Sequence, residues 1–182
     1  FNHKIIYGTL IFLGILKKLK FKKLKQYSLN IQFIKAFKYN IPIKYSKTKA
    51  YQKNFGLAYI NFFKKNEYLF KNEKLKLIKT VKLSKFKSQK KIISEDKKIR
   101  IILNHLSWYV GMVNPGKYSL INNINLVYNS SFSKSKELKI YSKKISKFPI
   151  IKNRISFDNF IVEFTTSIRP HIKKTNVKIS KQ

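Results

Sequence analysis

Three histidines, seven acidic residues and no cysteine are all that this 182-residue chain offers to acid–base, nucleophilic or metal chemistry. His3, His105 and His171 stand far apart, and neither His105 nor His171 has a nucleophile or carboxylate pattern beside it that would make it a general base. The acids are scattered singly apart from Glu95-Asp96, so paired-carboxylate catalysis has no support. Ser94 followed by that pair reads as a helix start. Without cysteine there is no disulfide, thiolate zinc site or cysteine nucleophile. Gly111 and Gly116 do not form a phosphate-cradling loop. These residues predict no enzyme, no cofactor and no metal.

What the chain holds in excess is positive charge: 41 Lys and Arg against 7 acids, a net +34. Only Arg100, Arg154 and Arg169 are arginines, which leaves 38 lysines (41 minus 3). Lysine presents a point charge rather than a bidentate fork, so the expected contacts are to phosphates rather than base edges. A polyanion that neutralises this charge would also relieve its self-repulsion. The stretch from Phe148 to Lys174 concentrates the pattern. It passes through a polar turn at Asp158-Asn159 and the apolar run Phe160-Ile161-Val162 before a basic tail. The residues expected on RNA phosphates are Lys143, Lys144, Lys147, Lys152, Arg154, Arg169, His171, Lys173, Lys174 and Lys178. Arg169 is the one expected to make a planar contact. Glu163 is read as structural, capping amides or pairing with a lysine.

The elements that would carry these residues read as follows. Residues 5 to 16 (IIYGTLIFLGIL) form an apolar run too short to cross a bilayer, and read as a helix or strand buried on a partner. Residues 17 to 50 interleave lysines with Tyr27, Phe33, Phe37, Tyr39 and Tyr45, and Pro42 marks an extended piece or turn. Between Leu57 and Val81 the apolar residues Leu57, Ile60, Phe63, Leu69, Phe70, Leu75 and Leu77 fall near helical spacing. Strands are predicted at Ile99–Leu103, Trp108–Val113 and Ile121–Tyr128, with a turn at Asn114-Pro115-Gly116 and a further extended piece at Leu138–Tyr141. Trp108 reads as core. The expected fold is a small α+β domain, with a few-stranded antiparallel sheet, short helices and long basic extensions. Its expected division is a basic extension over 1–90, an α+β domain over 91–174 and a basic tail over 175–182.

From Ile99 to Lys174 the chain resembles the ribosomal protein S-nineteen family of the small-subunit head. Leu126-Val127-Tyr128-Asn129 looks like that family's hairpin and Phe148-Pro149-Ile150-Ile151 like its proline-led strand. Asp158, Ile161, Glu163, Phe164 and Ser167 look like its signature, and Arg169-Pro170-His171 with the following lysines like its tail. The segment Trp108 to Gly116 also resembles the large-subunit protein L-sixteen, the second choice. The resemblance implies a structural constituent of an organellar ribosome, with ribosomal RNA and an S-thirteen-like protein as partners. The coding bias behind so many Lys, Ile, Asn and Phe and only three Ala places it in a mitochondrion. The reading from another class is an accessory subunit of an organellar membrane complex, with residues 5 to 16 embedded and the lysines on anionic lipid.

Overall fold

The computed structural model describes residues 8–19, 24–64, 74–82, 97–113, 119–131, 137–145 and 150–168. In chain order these form α1 (Gly8–Leu19), β1 (Gln26–Lys35), β2 (Lys44–Tyr45), β3 (Lys49–Tyr51), β4 (Leu57–Phe63) and β5 (Lys76–Lys82). There follow α2 (Lys97–Trp108), a π-helical turn (Tyr109–Val113), β6 (Ser119–Asn129), β7 (Glu137–Ile145), β8 (Ile150–Phe157) and β9 (Phe160–Ile168). The strands make one nine-stranded sheet in the order β2-β3-β4-β1-β6-β9-β8-β7-β5. Every pairing is antiparallel.

Strict alternation builds the sheet. In β1, Tyr27, Leu29 and Ile31 turn to the buried side while Ser28, Asn30 and Gln32 turn to the other. Register carries that side across the neighbours, so Leu29 faces Leu126, which in turn faces Val162, and Val162 faces Ile155. The two helices lie on this apolar face. The apolar run of α1 places Ile11, Phe12, Ile15 and Leu16 on one stripe, and α2 does the same with Ile99, Ile102, Leu103 and Leu106; all eight are buried. Gly8 lets α1 approach the side chains of Phe33 and Ile121. At Gly14 the contact is tighter, because any Cβ there would stand inside the ring of Tyr45.

The chain therefore runs helix then antiparallel strands, twice, and the halves join where β1 pairs with β6 and again where β5 pairs with β7. At the β1–β6 seam Asn30 donates from Nδ2 to Oδ1 of its cross-strand partner Asn125, on the face away from the helices.

This is not the small α+β domain of few strands that the sequence predicts. Residues 57–63 and 76–82 are strands where helical spacing suggested a helix. In β4 the inward residues Ala58, Ile60 and Phe62 alternate with Leu57, Tyr59, Asn61 and Phe63, and Leu57, Ile60 and Phe63 only imitate a helical stripe. The converse happened at Ile99–Leu103 and Trp108–Val113, predicted as strands. They form α2 and its π-helical continuation, because Ile99, Ile102, Leu103 and Leu106 recur at three and four residues. The expected boundary near residue 90 falls between β5 and α2, and residues on both sides contribute strands to the same sheet. No described helix is long and apolar enough to cross a membrane.

Candidate functional site

On the helix-covered face, three buried polar side chains interrupt a mainly apolar surface, whose edge strands β5 and β7 add the exposed Lys79 and Lys144. Register places Ser142 of β7 opposite Asn153 of β8, and Ile151 of β8 opposite Thr166 of β9, so all three polar residues share one side. Asn153 and Thr166 are fully buried and Ser142 nearly so. Ser142 Oγ donates to Asn153 Oδ1 at 2.9 Å. Asn153 Nδ2 reaches Thr166 Oγ1 and the carbonyl of Ile151, each at 3.3 Å. Those last two are at the long end of the range for an N–H···O bond. Burying an amide costs on the order of 2 kcal/mol or more unless it is bonded, and Asn153 stands between the cross-strand neighbours Ser142 and Phe164 with Ile151 and Ile155 on its own strand. A polar trio here invites a chemical explanation. Helix α2 packs against β8, the strand that carries Asn153.

The same helix carries His105, which is 1% exposed. Its Nδ1 lies 2.7 Å from the carbonyl oxygen of Ile101, one turn earlier, and since a carbonyl can only accept, Nδ1 carries the proton. Burial pushes the imidazole below its ordinary value, the bond to Ile101 opposes this, and the charge of Lys79 pushes it down again. The ring is therefore neutral near pH 7, with a lone pair on Nε2. Lys79 also sits with Nζ 4.5 Å from the centre of the Trp108 ring. Trp108 is 39% exposed, against the expectation that it is core.

The described carboxylates stand elsewhere. Neither helix has an acid in its first turn. Glu163 alternates with the inward Val162 and Phe164 and so faces away from the helices. There it accepts from Arg154 Nε at 2.8 Å and pairs with Lys152 Nζ at 3.5 Å. Glu137 and Asp158 lie at the far end of the sheet, in the β5–β7 pairing and the β8–β9 turn. Asp158 holds φ at 51°, the left-handed region that Asp tolerates better than most residues. Among the described residues no three His, Cys, Asp or Glu come together as a metal site.

The basic residues singled out from the sequence divide. Lys143 and Lys144 are exposed at the end of β7, and Lys152 and Arg154 flank Glu163 on β8. Lys147, Arg169, His171, Lys173, Lys174 and Lys178 lie outside the described residues. The reading of Glu163 as a partner for a lysine matches its contact with Lys152. Ser142, Asn153 and Thr166 escaped the sequence analysis altogether. Their available signal was a polar residue at an inward position of each of three alternating strands, which is visible only once the register is known.

No protein-family model matches the chain, and no curated protein matches it. Among solved structures it is similar to a tesB protein of Mycobacterium avium subspecies paratuberculosis. That match has 9% identity and a TM-score of 0.51, covering 91% of this chain and 88% of the other. It also matches an acyl-ACP thioesterase from Bacteroides thetaiotaomicron at 10% identity over 90% of each chain, with a TM-score of 0.48, too low to carry an argument. At such identity the likeness is one of fold, a hotdog-like sheet packed on helices.

That finding overturns the resemblance to the S-nineteen family and its L-sixteen alternative. Of the segments that carried it, Trp108–Val113 is helical, Phe148-Pro149, Arg169–His171 and residues 114–116 lie outside the described residues, and the others belong to inner strands of the large sheet. Leu126–Asn129 closes β6, and residues 158 to 167 form the β8–β9 turn and β9 itself. With the resemblance go the ribosomal structural role, the ribosomal RNA and S-thirteen-like partners, and the expectation of no small-molecule substrate. The expectation that the chain is not an enzyme is overturned with them, since the fold is shared with a tesB protein.

Proposed function

We propose that this chain binds acyl thioesters and hydrolyses them, with the acyl chain held between α2 and the helix-covered face of the sheet. The observation that carries this reading is the buried Ser142–Asn153–Thr166 trio on the helix-covered face, in a fold shared with a tesB protein. A thioester carbonyl oxygen brought to Asn153 Nδ2 would replace two long hydrogen bonds with one to an acceptor that gains negative charge during attack. Ser142 fixes the amide orientation by donating to Oδ1, which keeps the nitrogen on the side of Thr166, where the substrate oxygen would displace its present partners. His105, neutral and buried on α2, is the assigned acceptor for the proton of the attacking water. Water adds to the carbonyl carbon, the carbon–sulfur bond breaks, and the thiolate leaves with a proton. The products are one carboxylic acid and one thiol.

The test is thiol release from acyl-CoA thioesters of graded chain length by the purified full chain. Hydrolysis is expected at some chain length, and Asn153→Ala should lower kcat/KM by roughly 100-fold, as for loss of an oxyanion donor, with the melting temperature checking the fold. Absence of both thiol release and saturable acyl-thioester binding across the series would overturn the reading.

A further inference from the structure

One end of the sheet differs in chemistry from the other. Register brings the start of β6, the end of β9, the start of β8, the end of β7 and the start of β5 to the same end, through Ser119↔Ile168, Ile150↔Ser167, Ile145↔Ile150 and Lys76↔Ser142. The π-helical turn after α2 is fastened there too, because Ser119 Oγ donates to the carbonyl of Val110 at 2.7 Å. This end exposes large apolar side chains. Met112 is 75% exposed and Val113 46%, with Leu77, Ile78, Ile145 and Trp108 also open to solvent. Lysines surround them: Lys76 and Lys79 on β5, Lys143 and Lys144 on β7. Every described acid is elsewhere. Glu137 and Asp158 mark the opposite end, and Glu163 is tied to Arg154 and Lys152 in the middle of the sheet.

A solvated face has no use for an exposed methionine and valine on one turn, and a nucleic acid would use the lysines but not the aliphatic groups. An anionic bilayer surface uses both. Apolar side chains enter the headgroup boundary while lysine stems lie along them with their ammonium groups at the phosphates. Aromatic rings with a polar edge favour the same depth, and the Trp108 ring already carries the Lys79 ammonium over it. The net charge of +34 supplies the long-range attraction. We infer that this end of the molecule is a docking surface for anionic lipid membranes, with Met112, Val113 and Trp108 inserting and Lys76, Lys79 and Lys144 on the headgroup phosphates. It lies beside the C-terminus of α2 and rests on the surface alone, whatever the fate of the thioester reading.

The chain contains one tryptophan, so Trp108 reports directly on insertion. Full-length protein is titrated with vesicles of phosphatidylcholine alone and with 30% phosphatidylglycerol (about 30% being the composition chosen for strong surface charge). Binding is expected to the anionic vesicles only, with a blue shift of Trp108 emission and quenching by lipids brominated along the acyl chain. Met112→Glu together with Val113→Glu should weaken binding at least tenfold. Phe63→Glu, at the opposite end, should leave it unchanged. Both variants alter exposed positions, so the fold is retained, and circular dichroism verifies it. Absence of binding would overturn the inference. So would binding with Trp108 unshifted and indifferent to the double substitution, which would be diffuse lysine attraction. An RNA oligonucleotide giving the same shift and the same loss in the variant would equally overturn it, by making a nucleic acid the occupant.

Discussion

His105 shows how a single side chain can be set for a task by the few atoms around it. Its Nδ1 proton is committed to the Ile101 carbonyl, and burial with the nearby Lys79 charge disfavours a second proton. Because the folded value lies below the ordinary 6.5, the unfolded chain takes up the proton first as pH falls. Stability from this group is full above pH 6.5 and drains away as pH drops toward the folded value. Hydrolysis should follow the same sign, holding on the alkaline side and falling on an acid limb that begins below 6.5. In a pH–rate profile, His105→Gln should abolish that limb along with most of the rate, whereas a limb that survives the substitution assigns the base elsewhere. At this scale the sequence was a poor guide. His105 has no acid or nucleophile near it in the chain, and its environment is assembled from β5, over twenty residues away. Glu163 was legible because a lone acid amid lysines has few alternatives to pairing. Asn153 was not, because nothing in KNRIS distinguishes an inward asparagine from an outward one until the strand register fixes which side it takes.

Elements were legible where one periodicity dominated and illegible where two competed. Residues 121–128 lie within β6, where Ile124, Leu126 and Tyr128 alternate beyond a bulge at Ile121–Asn123, and the apolar run at 5–16 overlaps α1, whose buried stripe packs on this chain's own sheet. The segment beginning Leu57 fits both a helical and a strand pattern. The sheet decides, because Ala58 and Ile60 find Ala50 and Ile31 as cross-strand neighbours. Helix α2 was misread since IRIIL is rich in β-branched residues, yet its Ile99–Ile102–Leu103–Leu106 stripe buries far more as a helix on the sheet. The packing of α1 makes a sharp demand at Gly14, where the Tyr45 ring occupies the space of a side chain. Gly14→Ala gains helix propensity worth about 0.8–1 kcal/mol but must displace β2 or the helix. A net loss of about 2 kcal/mol is expected, read as a fall in melting temperature. In a Tyr45→Ala background the same substitution should instead raise it, since the obstruction is gone.

For the whole molecule the governing quantity is charge. Composition suggested a polyanion partner, and the inference from +34 to ribosomal RNA failed because charge speaks to what a surface attracts, not to fold. Most of the described lysines on strands sit at strand ends or on outward positions, with Lys79 of β5 opposite the inward Ile140 an exception, so they interrupt the buried side of the sheet little. Their mutual repulsion still acts on the compact state. Raising sodium chloride from about 0.05 to 0.5 M shortens the screening length from roughly 14 to 4 Å. The melting temperature should rise by several degrees, and a fall would mean that the Glu163 contacts with Arg154 and Lys152 outweigh the repulsion.

The β1–β6 seam has a consequence for the order of events during synthesis. Strand β1 can pair with β4 as soon as residue 63 emerges, but its other edge must wait for β6, whose first residue follows that of β1 by 93 positions (119 minus 26). At ~5–20 residues per second, roughly 5–20 seconds pass in which a nascent N-terminal half presents an open strand edge bearing Leu29 and Ile31. Two such nascent chains on one polysome would meet through like edges. The lysines at 17–25 that precede β1 would hold them apart by charge, giving the cationic arm a use as a built-in guard against co-translational clumping.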